Sequence, residues 1–175
     1  YAGVALLYGN GAGGFVTGAT PPMGVSMGVN LADFNRDGLP DIIGPDGMYN
    51  TLVAYQNLGG RTWSANLGPP NAYPFNLSSE LAPSALDLYG NGNLDQVAAS
   101  HAAGGYTPPM TLLIFEGTGA PAAPAWAARV LDVLPYRGLP VGAADLDDDG
   151  NLDIFVGGSS GAPGFRAYRG DGAGG

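Results

Sequence analysis

The chain has 175 residues, 45% of them hydrophobic, with six Lys+Arg against fifteen Asp+Glu and a formal net charge of −9. That length and apolar content suit a folded domain with its own core, and the acidic balance excludes a phosphate-gripping nucleic-acid surface and a polybasic membrane patch. Cysteine is absent, so neither a disulfide nor a thiolate metal site can hold the fold, and no apolar run approaches the ~20 residues needed to span a bilayer.

The 31 glycines and 15 prolines sit between short apolar runs rather than in low-complexity tracts, which is the texture of many short strands joined by tight turns. The first such run, "VALLYGNGAGGF" (4–15), reads as a strand, a glycine turn and a returning strand. Its "GNGAGG" fits G-x-G-x-x-G, but a dinucleotide fingerprint needs a helix next, and "FVTGATPP" cannot supply one. Residues 32–44, "ADFNRDGLPDIIG", follow as an acidic loop leading into an apolar strand. "TLVAYQNLGGRTW" (51–63) then repeats the hairpin pattern of the N-terminus.

A Pro-rich stretch at 67–83 reads as an inter-unit loop and contains the sequon Asn76-Leu77-Ser78, which is permissive for a secreted location. "LDLYGNGNLDQVAAS" (86–100) is a second acidic loop with its strand, and His101 after it is the only histidine, with no nucleophile motif to make it catalytic. "TLLIFEGTGAP" (111–121) is expected to end in a glycine turn. "APAAPAWAARVL" (120–131) is the one alanine-rich segment, and its prolines allow at most a helical turn near Trp126. "ADLDDDGNLDIFVGG" (143–157) is the third acidic loop, and "GFRAYRGDGAGG" (164–175) is the last hairpin pattern. The Arg169-Gly170-Asp171 within it falls where the N-terminal hairpin has its Gly9-Asn10 turn, so the repeat explains it without a recognition role.

The three acidic loops recur about every 55 residues, each preceded by a strand and followed by a strand and a hairpin. Positions 1, 3 and 5 of such a loop aim side chains at a common centre, as in the first half of a calcium loop. They are Asp33, Asn35 and Asp37; Asp87, Tyr89 and Asn91; and Asp145, Asp147 and Asp149. Position 6 is Gly38, Gly92 or Gly150, as a sharp turn with positive φ requires. Position 7 (Leu39, Asn93, Asn151) can offer a backbone carbonyl, and position 9 is Asp41, Asp95 or Asp153. Hard oxygen donors without His or Cys point to Ca²⁺ over zinc or copper, and Mg²⁺ favours fewer protein ligands. Carboxylate counts rank 145–153 first, 33–41 second and 87–95 last, giving two strong calcium sites and a third that is weak or absent.

The pattern D-x-(D/N)-x-D-G-x-x-D before an apolar strand, in step with a G-N-G-x-G-G-F hairpin, resembles the FG-GAP repeat of integrin alpha heads and many secreted microbial proteins. "DFNRDGLPDIIG" and "DLDDDGNLDIFVGG" carry the resemblance, and "DLYGNGNLDQVAAS" departs from it at Tyr89. It implies an all-β fold of four-stranded β-propeller blades. Asp33, Asn35, Asp37 and Asp41, and Asp145, Asp147, Asp149 and Asp153, would be side-chain calcium ligands, with Leu39 and Asn151 supplying carbonyls. About three repeats are too few to close a propeller of ~4–8 blades, so an incomplete or open propeller is expected, its edges covered by further blades or by another copy. The expected division is a hairpin of a preceding blade (1–15), a blade with the first calcium loop (16–66), a blade with the degenerate loop (67–128) and a blade with the third loop (129–175).

The function this implies is a non-catalytic, extracellular or cell-surface module, stabilised by calcium, that binds or adheres to a protein or carbohydrate. Two other classes remain open: a structural subunit that self-assembles through open edges into a filament or surface layer, and the propeller part of a polysaccharide-active enzyme. No nucleic-acid partner and no membrane insertion are expected. Trp63 and Trp126 are expected in the core between blades, and Tyr73 and Tyr106 are alternative sugar platforms.

Overall fold

A computed structural model of the chain describes residues 5–21, 29–46, 51–68, 76–77, 84–101, 109–118, 125–136, 138–158 and 164–173. Among these the fold is all-β, in several small antiparallel sheets, none of them closed. Tyr73, Ser78 and Tyr106 lie outside the described residues; within the Pro-rich stretch 67–83, expected to be a loop, Asn76–Leu77 form a short strand.

β1 (Leu7–Gly9) and β2 (Phe15–Thr17) form the expected N-terminal hairpin. β3 (Asn30–Ala32), β4 (Asp41–Asp46) and β5 (Thr51–Tyr55) form a three-stranded sheet in that order. The chain then turns at Gly59 and comes back along β5, with the Ser64 amide donating to the Gln56 carbonyl and that of Leu67 to Ala54. Pro45 sits in the middle strand, opposite Leu52 of β5.

The central sheet is the largest. β10 (Ala125–Leu134), β9 (Met110–Thr118) and β8 (Asp95–His101) pair in sequence, and β6 (Asn76–Leu77) and β7 (Ser84–Leu86) share the far edge of β8 end to end. It has five strands, where four per unit were expected, and the other sheets have two or three. The last sheet is β11 (Gly138–Ala144), β12 (Asp153–Gly158) and β13 (Phe165–Tyr168). Its ladder shifts between Pro140 and Gly142, where proline has no amide to offer.

Two local expectations change. The segment after Phe115 does not turn at Gly117: β9 runs straight through to Thr118. Trp126 is not at a helical turn but in β10, opposite Gly117, because pairing with the long apolar β9 outweighs the weak local helix preference of alanine. β10 also crosses the expected division between residues 128 and 129, and β2 crosses the one between 15 and 16.

The sheets are held face to face by side chains that alternate along each strand. On β9, Leu113 and Phe115 point to the first three-stranded sheet and meet Phe34, Ile43, Leu52 and Ala54. Met110, Leu112 and Ile114 point the other way and meet Ile154 and Val156 of β12. All five β9 side chains are essentially buried. At ~1.5–3 kcal/mol each, they contribute a gross ~8–15 kcal/mol against chain entropy. A third cluster, Ile42, Val53 and Tyr55, is packed by Leu6, Val29 and Trp63. Trp126 meets Phe34 edge-on at 5.7 Å between centroids, and both tryptophans are half-buried, Trp126 against the first of these clusters and Trp63 against the third.

Candidate metal centre

Each acidic loop joins an edge strand to the interior strand beside it: β3 to β4, β7 to β8, β11 to β12. The three follow one path. Position 6 is left-handed in every copy, with φ of 86° at Gly38, 83° at Gly92 and 89° at Gly150. Position 4 is left-handed too, at Arg36, Gly90 and Asp148, and only the second loop places a glycine there. The position-1 carboxylate accepts the amides of positions 5 and 6: Asp33 from Asp37 and Gly38, Asp87 from Asn91 and Gly92, Asp145 from Asp149 and Gly150, all at 2.8–3.1 Å. The position-5 side chain accepts the amide of position 7 at 2.8 Å, Leu39 donating to Asp37, Asn93 to Asn91 and Asn151 to Asp149.

Position 9 is a buried brace. Asp41, Asp95 and Asp153 are 0%, 0% and 3% exposed. One oxygen of each accepts the amide of position 2, from Phe34 at 3.1 Å, Leu88 at 2.9 Å and Leu146 at 2.8 Å. The other accepts an amide from the following hairpin, from Asn57 at 2.8 Å, Gly117 at 2.8 Å and Gly170 at 2.9 Å. These three donors each lie two residues beyond the hairpin aromatic. Gly117 and Gly170 leave room for the position-8 carbonyls of Leu94 and Leu152, which a Cβ would strike, whereas Asn57 donates its side-chain amide to the Pro40 carbonyl at 3.0 Å.

Burial raises the Asp41 carboxyl above its ordinary range and pushes that of Asp95 up to about 6, in both cases against the two backbone amides that favour the anion. The position-5 groups move the other way. Asp37 is lowered by the Asn35 amide and the Leu39 N–H, and Asp149 by the Asn151 N–H and then Arg169.

The ligand positions differ between copies. In the third loop, Asp145, Asp147 and Asp149 each bring an oxygen within 4.8 Å of the others, all exposed, which fits a hard divalent cation in donor type and convergence. Asp153 stands outside that group as the brace. In the first loop the Asn35 side-chain amide donates to Asp37 at 2.9 Å, leaving the Asn35 carbonyl oxygen to accept from the Asp37 amide at 3.1 Å. In the second, Tyr89 at position 3 is taken out of the loop. Its hydroxyl donates to Glu116 at 3.1 Å and accepts from Arg129 at 2.8 Å, while Arg129 also pairs with Glu116 at 2.6 Å. Of the three expected ligand positions that leaves Asp87 and Asn91, whose side chains accept loop amides.

A second residue class escaped the sequence reading. The residue after each hairpin aromatic, Gln56, Glu116 or Arg169, reaches the loop of its own unit. Gln56 lies 3.5 Å from Asp37, Glu116 meets Tyr89, and Arg169 pairs with Asp147 at 2.8 Å and Asp149 at 3.0 Å. The signal was present as a fixed offset from Tyr55, Phe115 and Tyr168, but the three side chains share no chemistry.

No protein-family model and no curated protein matches the chain. Among the described residues no helix is long and apolar enough to cross a membrane.

Proposed function

We propose that the chain is a calcium-stabilised repeat module of a protein working outside the cell or at its surface, and that it serves binding or adhesion to a protein or carbohydrate rather than catalysis. The observation that carries the reading is the convergence of Asp145, Asp147 and Asp149 on one exposed centre, at the end of a loop whose path recurs twice more in the chain. Bound there, calcium would supply the positive charge that offsets three mutually repelling carboxylates. Asp145, Asp147 and Asp149 would hold it in the third loop, and Asp33, Asn35 and Asp37 in the first. The FG-GAP resemblance supports the same assignment and the propeller-type arrangement of the units. Calorimetric titration of the metal-free protein with Ca²⁺ and with Mg²⁺ tests it. The expected result is saturable calcium binding at one or more sites with weaker magnesium binding; no calcium heat at millimolar metal refutes it.

One observation favours the structural-subunit alternative. The outward face of the last sheet carries Phe155 and Ala167 opposite each other, and Phe165 beside them at 80% exposure. The equivalent positions on β9, Leu112 and Ile114, are buried under the next sheet. Such a face favours self-association, and light scattering across a concentration series distinguishes the two readings.

A further inference from the structure

The third loop has the most carboxylates, yet it is also the loop that already holds a cation. Arg169, from the end of β13, places Nε 2.8 Å from Asp147 and Nη2 3.0 Å from Asp149. These are two of the three carboxylates that converge on the candidate centre. The Arg169 guanidinium in turn is raised above its ordinary range, first by the Asp149 hydrogen bond and then by the Asp147 charge.

The other two copies provide an internal comparison. At the same hairpin position the first unit has Gln56, a neutral amide 3.5 Å from Asp37. The second has Glu116, an anion turned to Tyr89 and Arg129. At this hairpin position a positive charge is therefore found in the third unit alone among the described residues, whereas the second loop has the Arg36 guanidinium against Gly92; neither is required by the loop path, which the three copies share.

We propose that Arg169 is an internal counter-cation of the third loop, so that calcium at Asp145, Asp147 and Asp149 binds in competition with it and the carboxylate count overstates this loop's affinity. The inference rests on the calcium reading above. A guanidinium fork suits a pair of carboxylates and holds its charge at every accessible pH, so the competition does not relax as pH rises. The pairs are exposed, with the Arg169 side chain 69% accessible. Each is therefore weak, and calcium can displace the arginine without unfolding anything. Without metal, Arg169 keeps the loop from carrying three unshielded charges. With metal, it is released to solvent, so the loop exchanges one cation for another.

The test reads the sites separately. The amides of Gly38 and Gly150 donate to the position-1 carboxylates of the first and third loops, so their NMR signals report calcium binding at each loop during a titration of the whole chain. Arg169→Gln, which gives the third loop the first loop's residue, is expected to tighten calcium at Gly150 about tenfold at low salt and leave Gly38 unchanged. Gln56→Arg is expected to weaken calcium at Gly38 by a similar factor and leave Gly150 unchanged. An Arg169→Gln protein whose Gly150 affinity stays within about twofold of the unaltered chain, while Gly38 titrates normally, overturns the inference and spares the calcium reading. Silence of both glycines in every variant overturns the calcium reading, and the inference with it.

Discussion

Replacing Asp153 by alanine separates the brace from the proposed metal site. Its two oxygens accept the amides of Leu146 and Gly170 at 2.8 and 2.9 Å, and the side chain is 3% exposed. Alanine leaves both amides without an acceptor in a site that water reaches poorly. At ~1–3 kcal/mol for each stranded donor, the loss is about 2–6 kcal/mol, a large share of a total stability of ~5–15 kcal/mol. Asparagine keeps one acceptor and turns an N–H toward the other donor, so about half that loss is expected. The assay is urea unfolding followed by tryptophan fluorescence, with chelator present throughout so that no ion contributes. If Asp153 served only as a calcium ligand, its removal in chelator would cost nothing. Midpoints and slopes for Asp153→Ala indistinguishable from those of the unaltered chain would therefore refute the brace.

The remaining expectations can be checked together. Asp149→Ala should remove one calcium site in calorimetry, and chelator should lower the melting temperature: metal at a hundred times its dissociation constant contributes ~2.7 kcal/mol per site, or roughly 5–10 °C for a chain of this size. The Asp95 carboxyl should titrate near pH 6 by carbon-13 NMR; because its folded value lies above the unfolded one, its contribution to stability should fall as pH rises from about 4 to 6 and then level off, and a midpoint near 4 would contradict the burial argument. Asp132 behaves oppositely. The Tyr168 hydroxyl and Arg166, each 2.7 Å away, hold it below the usual carboxylate range, so it stabilises above the ordinary carboxylate pKa and that stability is lost as pH falls through the lowered value; a double-mutant cycle of Asp132→Asn with Arg166→Gln should give ~0.5–1 kcal/mol of coupling.

Much of the all-β class and the positions of the loops could be read from residue types, because their causes are local. A left-handed turn asks for glycine at 38, 92 and 150, and the structure has φ near 85° at all three. Short apolar runs marked β5, β8, β9 and β12 as strands, and runs of this kind arise where a strand is covered on both faces, as β9 is. What could not be read depends on partners distant in sequence. Gly117 looked like a turn residue, yet it lies in β9 as the point where the Asp95 brace and the Leu94 carbonyl approach the strand. Trp126 looked like a loop residue because its prolines and alanines said nothing about β9. Arg129 and Glu116 gave no sign that they hold Tyr89 out of the second loop, since that contact spans 40 residues.

The comparison of the three copies separates two roles that a single acidic loop would confound. The brace is the same in each: an aspartate at position 9, an amide from position 2 and an amide from the hairpin. The ligand positions are not the same, since position 3 is Asn35, Tyr89 or Asp147. If the loop path depended on a bound ion, the second copy, with one carboxylate and one amide left at the expected ligand positions, should be the most distorted. Instead its position-1 and position-9 bonds match those of the other two to within 0.2 Å. The path is thus set by backbone amides held by the position-1 carboxylate and the buried position-9 carboxylate, and the proposed cation site is an addition to it. That is why the second loop can lose its ligands and keep its place between β7 and β8, and why an arginine can stand in the third without disturbing the turn beneath it.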